Sequence, residues 1–384
     1  TVTIVVAGTS TITATQAANG NYSSGSTSAT LTVNSNAPTF GTFSAITKNY
    51  GDADFTLTAP ISNSSGAITF TSSNTSVATI SGSTVTIVGA GTSTITATQA
   101  ANSNYSSGST TATLTVNRIS PTIGSLSSIT KNYGDTAFSI TDPSSNSTGA
   151  FSYSSSDTSV ATISGSTVTI VGAGTATITA TQAATSNYTS GSTSTTLTVN
   201  TISPTLGAFN SITKTIGDAA FSISDPSSNS SGAFSFTSSN TSVATISGST
   251  VTLVGVGVAT ITATQAATSN YTSGSTSTTL TVITISPTIG TLNSITKTIG
   301  DANFSLSAPS SNSSGAFSYS SSDTSVATIS GSTVTLVGIG TATITATQAA
   351  NGNYSSGSTT ATLTVNPVVP IISTTGTLNA FTSC

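Results

Sequence analysis

Ala67-Ile-Thr-Phe-Thr-Ser72 and Thr110-Thr-Ala-Thr-Leu-Thr-Val116 alternate apolar and hydroxylated residues at every second position. Ile68 and Phe70 share one side of the first segment and Thr69 and Thr71 the other; Ala112, Leu114 and Val116 alternate likewise with Thr113 and Thr115. Alternation of period two marks a strand with one buried and one wet face. Thr and Val add β-branching, which suits a pleated backbone. Helix signals are nearly absent, with no Glu, no Met and few Leu. Ser and Thr make up roughly two-fifths of the chain, yet the alternation predicts an ordered, all-β protein rather than a disordered polar one.

The pattern returns every 83 residues without slipping. Pro38, Pro121, Pro204 and Pro287 share that spacing, as do Lys48, Lys131, Lys214 and Lys297. Asn21-Tyr22 recurs as Asn104-Tyr105, Asn187-Tyr188, Asn270-Tyr271 and Asn353-Tyr354. Such a period is too long for one solenoid coil and suits one small β-sandwich. The predicted fold is therefore all-β, a tandem series of small β-sandwich domains forming an extended rod. Residues 1–37 match the C-terminal half of a repeat, residues 38–120, 121–203, 204–286 and 287–369 are four complete copies, and 370–384 begins a different, truncated domain. Both ends cut through a repeat, so the sequence is expected to be a window on a longer polypeptide. It has no initiator Met and no apolar stretch long enough for a signal peptide or a membrane span.

Within residues 38–120 the turn signals fall at Gly51-Asp52, at Ser62-Asn-Ser-Ser-Gly66, at Ser73-Asn-Thr-Ser76, at Ser81-Gly-Ser83 and at Gly89-Ala-Gly91. They divide the repeat into about seven short strands, the count of a sandwich. Phe55, Phe70, Val77, Ile80, Val85, Ile87, Ile95, Leu114 and Val116 are expected to point inward. Only about four residues, such as Asn117-Arg-Ile-Ser120, separate the last strand from the next Pro, which predicts restricted hinges. At about 3.3 Å per strand residue, each domain should measure about 35–40 Å and four should reach on the order of 150 Å.

The run from Phe70 to Ser81, followed by Thr84-Val-Thr-Ile-Val-Gly-Ala-Gly-Thr-Ser-Thr-Ile-Thr-Ala-Thr98, resembles the bacterial immunoglobulin-like domain of group 2. The resemblance covers residues 1–366 and implies an extracellular module of invasin- and intimin-type surface adhesins, most often a spacer and sometimes a binder. The Tyr-Gly-Asp element and the Gln-Ala-Ala-Asn loop are also similar to repeats of very large secreted proteins of Bacteroidetes. The family's Trp is replaced by Phe70, Tyr153, Phe236 and Tyr319.

Little in the composition supports catalysis. Five basic and nine acidic residues, no His and a single Cys leave Ser without an activating base. Asp52 and Asp54 are close in sequence, but the second position is Ala137 in the next copy, so no carboxylate dyad recurs. The Gly-x-Gly segments lie between strands rather than before a helix, which makes them turns. A slightly negative chain with five basic residues offers no basic footprint for nucleic acid or anionic lipid. The protein is expected to be no enzyme and to need no cofactor.

Calcium is the one metal candidate. Asp52, Asp135, Asp218 and Asp301 recur once per copy beside Gly. A calcium site wants six to eight oxygens, so one Asp per repeat needs help from carbonyls or a neighbouring domain, and a turn role competes. Tyr22, Tyr105, Tyr188, Tyr271 and Tyr354 are the candidate surface-contact residues. Their rings are expected either to fold onto the end of the sandwich with the hydroxyl capping a carbonyl, or to stack on a sugar. Lys48 with Asn104 could form a cross-link, which would show as a mass deficit of one ammonia per domain.

Three functions follow: a stalk of a long bacterial surface adhesin, a self-assembling filament built by strand pairing, and a repeated weak binder of surface glycan that gains by avidity. The expected partners are other domains of the same long chain, a second copy of it, or glycan. All three place it outside the cell.

Overall fold

The computed structural model describes residues 1–371; Cys384 and nearly all of the 370–384 segment lie outside the described residues. The chain forms two compact units, residues 1–201 and the residues from Ile202 on.

The first unit opens with a hairpin of β1 (Gly8–Gln16) and β2 (Gly25–Val33), paired antiparallel from Gly8 opposite Val33 to Gln16 opposite Gly25. Seven strands follow: β3 (Ile46–Asn49), β4 (Phe55–Thr56), β5 (Ile68–Ser72), β6 (Ala78–Ser81), β7 (Thr84–Ile87), β8 (Gly91–Gln99) and β9 (Gly108–Asn117). They form a four-stranded sheet in the order β3-β9-β8-β5 and a three-stranded sheet in the order β4-β7-β6. All neighbours are antiparallel except β3 and β9, whose long separation in sequence permits a parallel pairing. The same seven strands recur across residues 129–200 with the same order and register. The second unit repeats this architecture over residues 212–283 and 295–366. The described residues are all strand, turn and loop, so the all-β sandwich reading holds.

Each sandwich closes over its own apolar core. In the first repeat Val77, Val85, Ile95, Leu114 and Val116 are buried as expected. Phe55, Phe70, Ile80 and Ile87, expected to share that core, are only half-buried and pack against its flank. The reason is topological. Phe55, Phe70 and Ile80 stand on β4, β5 and β6, each with a neighbouring strand on one side only, and Ile87 ends β7. The central pair β8 and β9 has cover on both sides, so Ile95, Ala97 and Leu114 lose all contact with solvent. Truncating Leu114 should therefore cost more than truncating Phe55.

A polar residue completes the core. Gln99 ends β8 with 1% of its surface exposed. Its Nε2 donates to the carbonyls of Ser64 and Gly66, both at 2.9 Å, and its Oε1 accepts from Ser62 Oγ at 2.6 Å. A loop folded over a sandwich end carries backbone carbonyls that need donors, and this one amide supplies two. Gln182, Gln265 and Gln348 do the same in the later repeats.

Candidate functional site

The recurring Asp closes a turn. Gly51 adopts φ +85°, a left-handed conformation that favours glycine, and reverses the chain after β3. The Asp52 amide donates to the Asn49 carbonyl at 3.1 Å while the Asn49 amide donates to Asp52 Oδ2 at 2.8 Å. Asp135, Asp218 and Asp301 accept the corresponding bonds from Asn132, Thr215 and Thr298, each at 2.9 Å. Among the described residues no three acidic, His or Cys side chains gather where a cation could sit. The recurring Lys lies over a ring: Lys48, Lys131, Lys214 and Lys297 place Nζ 4.8, 4.9, 4.8 and 5.0 Å from the centroids of Phe55, Phe138, Phe221 and Phe304. The stem of each Lys thus covers the half-buried Phe while the ammonium meets the ring face. Beside it an open groove of about 440 Å³ with a mixed lining runs past Thr42, Phe43, Ser44, Ile46, Phe55 and Leu57.

The recurring Asn-Tyr pair sits in the β8–β9 loop. Asn102 folds the loop tip, since its amide donates to the Tyr105 carbonyl at 2.9 Å and its Oδ1 accepts from the Tyr105 amide at 3.0 Å. The incoming chain then joins the loop. Asn36 bridges Tyr105 and Ile119 bridges Tyr188 in parallel, as Ile202 and Ile285 bridge Tyr271 and Tyr354. In the first unit, β9 ends at Asn117 and Ile119 is already tied down, so Arg118 alone links the two repeats. In the second unit Thr284 alone lies between Ile283 and Ile285. The sequence reading of about four linker residues is too long, because residues counted as linker pair with the following repeat.

From this loop the pair reaches the preceding repeat. Within the first unit, Asn187 Oδ1 accepts from the Ala90 amide at 2.9 Å, and Asn104 Oδ1 accepts from the Ala7 amide at 3.1 Å. Both donors lie in the turn that leads into the β8-type strand. The Tyr188 ring meets Tyr50 edge-on, with centroids 5.6 Å apart and planes at 76°. Tyr105, Tyr188, Tyr271 and Tyr354 are half-buried, whereas Tyr22 is 75% exposed. The sequence marked these residues but not their target, since the partner turn lies in a different repeat, 97 residues away.

The outer face of the four-stranded sheet is almost all hydroxyl. Thr92, Thr94, Thr96 and Thr98 stand opposite Thr115, Thr113, Thr111 and Ser109. Cross-strand Thr pairs of this kind support the sheet as well as dressing its surface.

Charge enters at the β5–β6 turn. Asp157 Oδ1 accepts from the Ser159 hydroxyl at 2.6 Å and from the Ser159 amide at 2.8 Å. These bonds, the hydroxyl's first, hold the carboxyl below its ordinary value, and Ser325 does the same for Asp323. The first and third repeats carry Asn74 and Asn240 there, which do not titrate. A carboxyl lowered in the folded state contributes stability above its unfolded value, about 3.9, and loses it as pH falls through the lower folded value. Acidification from about pH 5 to about pH 2 should therefore weaken the second and fourth repeats more than the first and third. Calorimetry across that range checks this; an equal loss in all four would contradict it. Burial, followed by the Asp142 carboxylate that accepts its hydroxyl at 2.6 Å, pushes Tyr153 up to about 12.

Residues 115–193 match the family of the bacterial Ig-like domain (group 2). No curated relative matches the chain. Among solved structures it is similar to Drosophila N-cadherin EC1-4, at 11% identity over 84% of this chain and 99% of that one, with a TM-score of 0.25. It is also similar to Sidekick-1 immunoglobulin domains 1-5, at 12% identity over 90% of this chain and 84% of that one, with a TM-score of 0.28. The N-terminal eight Ig domains of DSCAM isoform 1.30.30 are similar at 13% identity over 87% of this chain and 48% of that one, with a TM-score of 0.26. At such scores these likenesses carry no argument. The strand order is the same in all four complete repeats, and over residues 115–193 the chain is similar to the bacterial Ig-like domain (group 2).

Proposed function

We propose that the chain is a non-catalytic spacer of an adhesion-type protein outside the bacterial cell, its repeats being the domains 38–120, 121–203, 204–286 and 287–369. The observation that carries this reading is the linker of a single residue, stitched into the next repeat at Ile119 and at Ile285. A binding module on a flexible string needs slack between domains, whereas a spacer needs its length transmitted. The separate core of each repeat supports the same role, because one domain can yield under load without unfolding its neighbours. The partners of such a segment are further domains of the same long chain.

Small-angle scattering combined with light scattering tests it. A spacer should remain monomeric and give a radius of gyration well above the about 21 Å of a compact chain of this length. A compact radius would overturn the reading. A mass that rises with concentration would favour a filament, for which the outer strand β5 and its equivalents offer edges without charge or proline. Calcium enters as an arm of the same experiment: stiffening on its addition would assign Asp52, Asp135, Asp218 and Asp301 as ligands, and no change would leave them as turn residues. Glycan binding draws its support from the hydroxyl-lined sheet face, and would appear as retention on immobilised polysaccharide that multiplies with repeat number.

A further inference from the structure

We propose that Asn351-Gly352, in the β8–β9-type loop of the fourth repeat, is a self-modifying site that converts to aspartate and isoaspartate and so loosens the junction with the third repeat as the protein ages. The reaction joins a side chain to the next backbone nitrogen. The Gly352 nitrogen loses its proton to water and attacks Asn351 Cγ, the Cγ–Nδ2 bond breaks and ammonia leaves. Water then opens the cyclic succinimide at one carbonyl or the other. The net change is amide plus water to carboxylic acid plus ammonia, with no oxidant or cofactor. It needs a carboxamide able to turn, a nitrogen open to water and little bulk on the following residue.

The other copies of this loop show why this one reacts. Asn-Gly stands at Asn19-Gly20 and Asn351-Gly352, where the remaining copies carry Asn102-Ser103, Thr185-Ser186 and Thr268-Ser269. Asn102 is clamped at both ends of its amide. Its Oδ1 accepts from the Asn104 and Tyr105 amides, both at 3.0 Å, and its Nδ2 donates to Ser64 Oγ and Ser65 Oγ at 3.1 and 3.2 Å. Asn19 keeps the Oδ1 half of that clamp, accepting from the Asn21 and Tyr22 amides at 3.2 Å. Asn351 has lost it. Gly352 takes φ +56°, a left-handed conformation that favours glycine, and the Asn351 carboxamide keeps one bond, from Nδ2 to Ser314 Oγ at 2.7 Å. Both residues are exposed, and nothing lies within 4 Å of where a Cβ on Gly352 would stand, so water reaches the nitrogen.

The product strikes the junction. Isoaspartate routes the main chain through Cγ and lengthens it by a methylene, where the Asn351 and Tyr354 amides each donate to the other's carbonyl at 3.1 Å. The entry from the third repeat hangs on that turn. The Ile285 amide donates to the Asn353 carbonyl at 3.0 Å, and the Ser355 amide donates to the Ile285 carbonyl at 2.9 Å. Shifting the turn releases these bonds and gives a stitched junction local freedom. The modification proceeds whether or not the array serves as a spacer.

Peptide mapping of the full chain by mass spectrometry, after weeks of warm storage at mildly alkaline pH, tests the site. Asn351 should gain the mass difference between an amide and an acid, through a transient species short of one ammonia, while Asn102 stays unchanged. The gain should slow in mildly acid buffer, because the attacking nitrogen must lose its proton. Gly352→Ser, which gives the fourth repeat the Asn-Ser pair of the first, should slow it several-fold. Hydrogen exchange at the Ile285 amide should rise several-fold in the stored chain and stay slow in stored Gly352→Ser. An Asn351 that keeps its mass, or an Asn102 that changes as fast, would overturn the site. An Ile285 amide that stays protected once Asn351 has converted would overturn the loosened junction.

Discussion

Gly149→Ala should unfold the second repeat well before the other three. The glycine follows the loop that crosses the sandwich end, and a Cβ there would lie 2.0 Å from the Ala183 carbonyl oxygen and 3.0 Å from its carbon. Those atoms are backbone and have no rotamer by which to yield. Nor can the loop retreat, because the Gly149 carbonyl accepts from Gln182 Nε2 at 2.9 Å and the Ala183 amide donates to the Ala150 carbonyl at 3.0 Å. Overpacking against movable side chains costs about 1–3 kcal/mol, and a fixed backbone places this case at or above the top of that range. A domain of this size holds about 4–12 kcal/mol in total. Calorimetry should therefore resolve one transition, with about a quarter of the enthalpy, lowered by more than about 10 °C. A shift of only a degree or two would mean that the loop relaxes freely. Gly66, Gly232 and Gly315 face the same oxygen at the same distance, so each should act on its own repeat alone.

Gln182→Leu is the second large effect. Leucine fills similar space but takes away both donors, leaving the Ser147 and Gly149 carbonyls unpaired at a buried site. Each stranded acceptor costs about 1–3 kcal/mol, and Ser145 Oγ loses its acceptor as well, for a sum of about 3–5 kcal/mol. Gln182→Glu should hurt at neutral pH, since a carboxylate cannot donate to the two carbonyls, and should recover partly when acid protonates it. Thermal unfolding of both variants at two pH values checks this. Tolerance of leucine would show that the apolar end of the core closes without the amide. Gly149 and Gln182 share one network, so the two losses should not add.

The physics that made the fold legible also marks where legibility stopped. Strand alternation is a local property, and it located β5, β7, β8 and β9 within a residue or two. It assigned inward and outward sides but not depth. Phe70 and Leu114 look equally inward in sequence, and only the order of strands in the sheet leaves one on an edge and buries the other. Gln99 stands in the inward phase of β8 with Ser93, Ile95 and Ala97, so its burial was there to be read. Lys48 likewise shares the inward phase of β3 with Ile46, which accounts for its resting on Phe55. The Asn-Tyr pair could be singled out by its unbroken spacing, yet its target is a turn in a different repeat. Such a contact depends on how one domain is mounted on the next, and that was hidden while Ile119 was counted as linker.

Single-molecule extension of the full chain, tethered at its two ends, tests the account most directly. Independent sandwiches should yield one at a time, in four events that each release about 250 Å, the contour of 83 residues less the length of a folded domain. One long event, or releases of irregular length, would mean that the repeats share a core and do not serve as separate mechanical units.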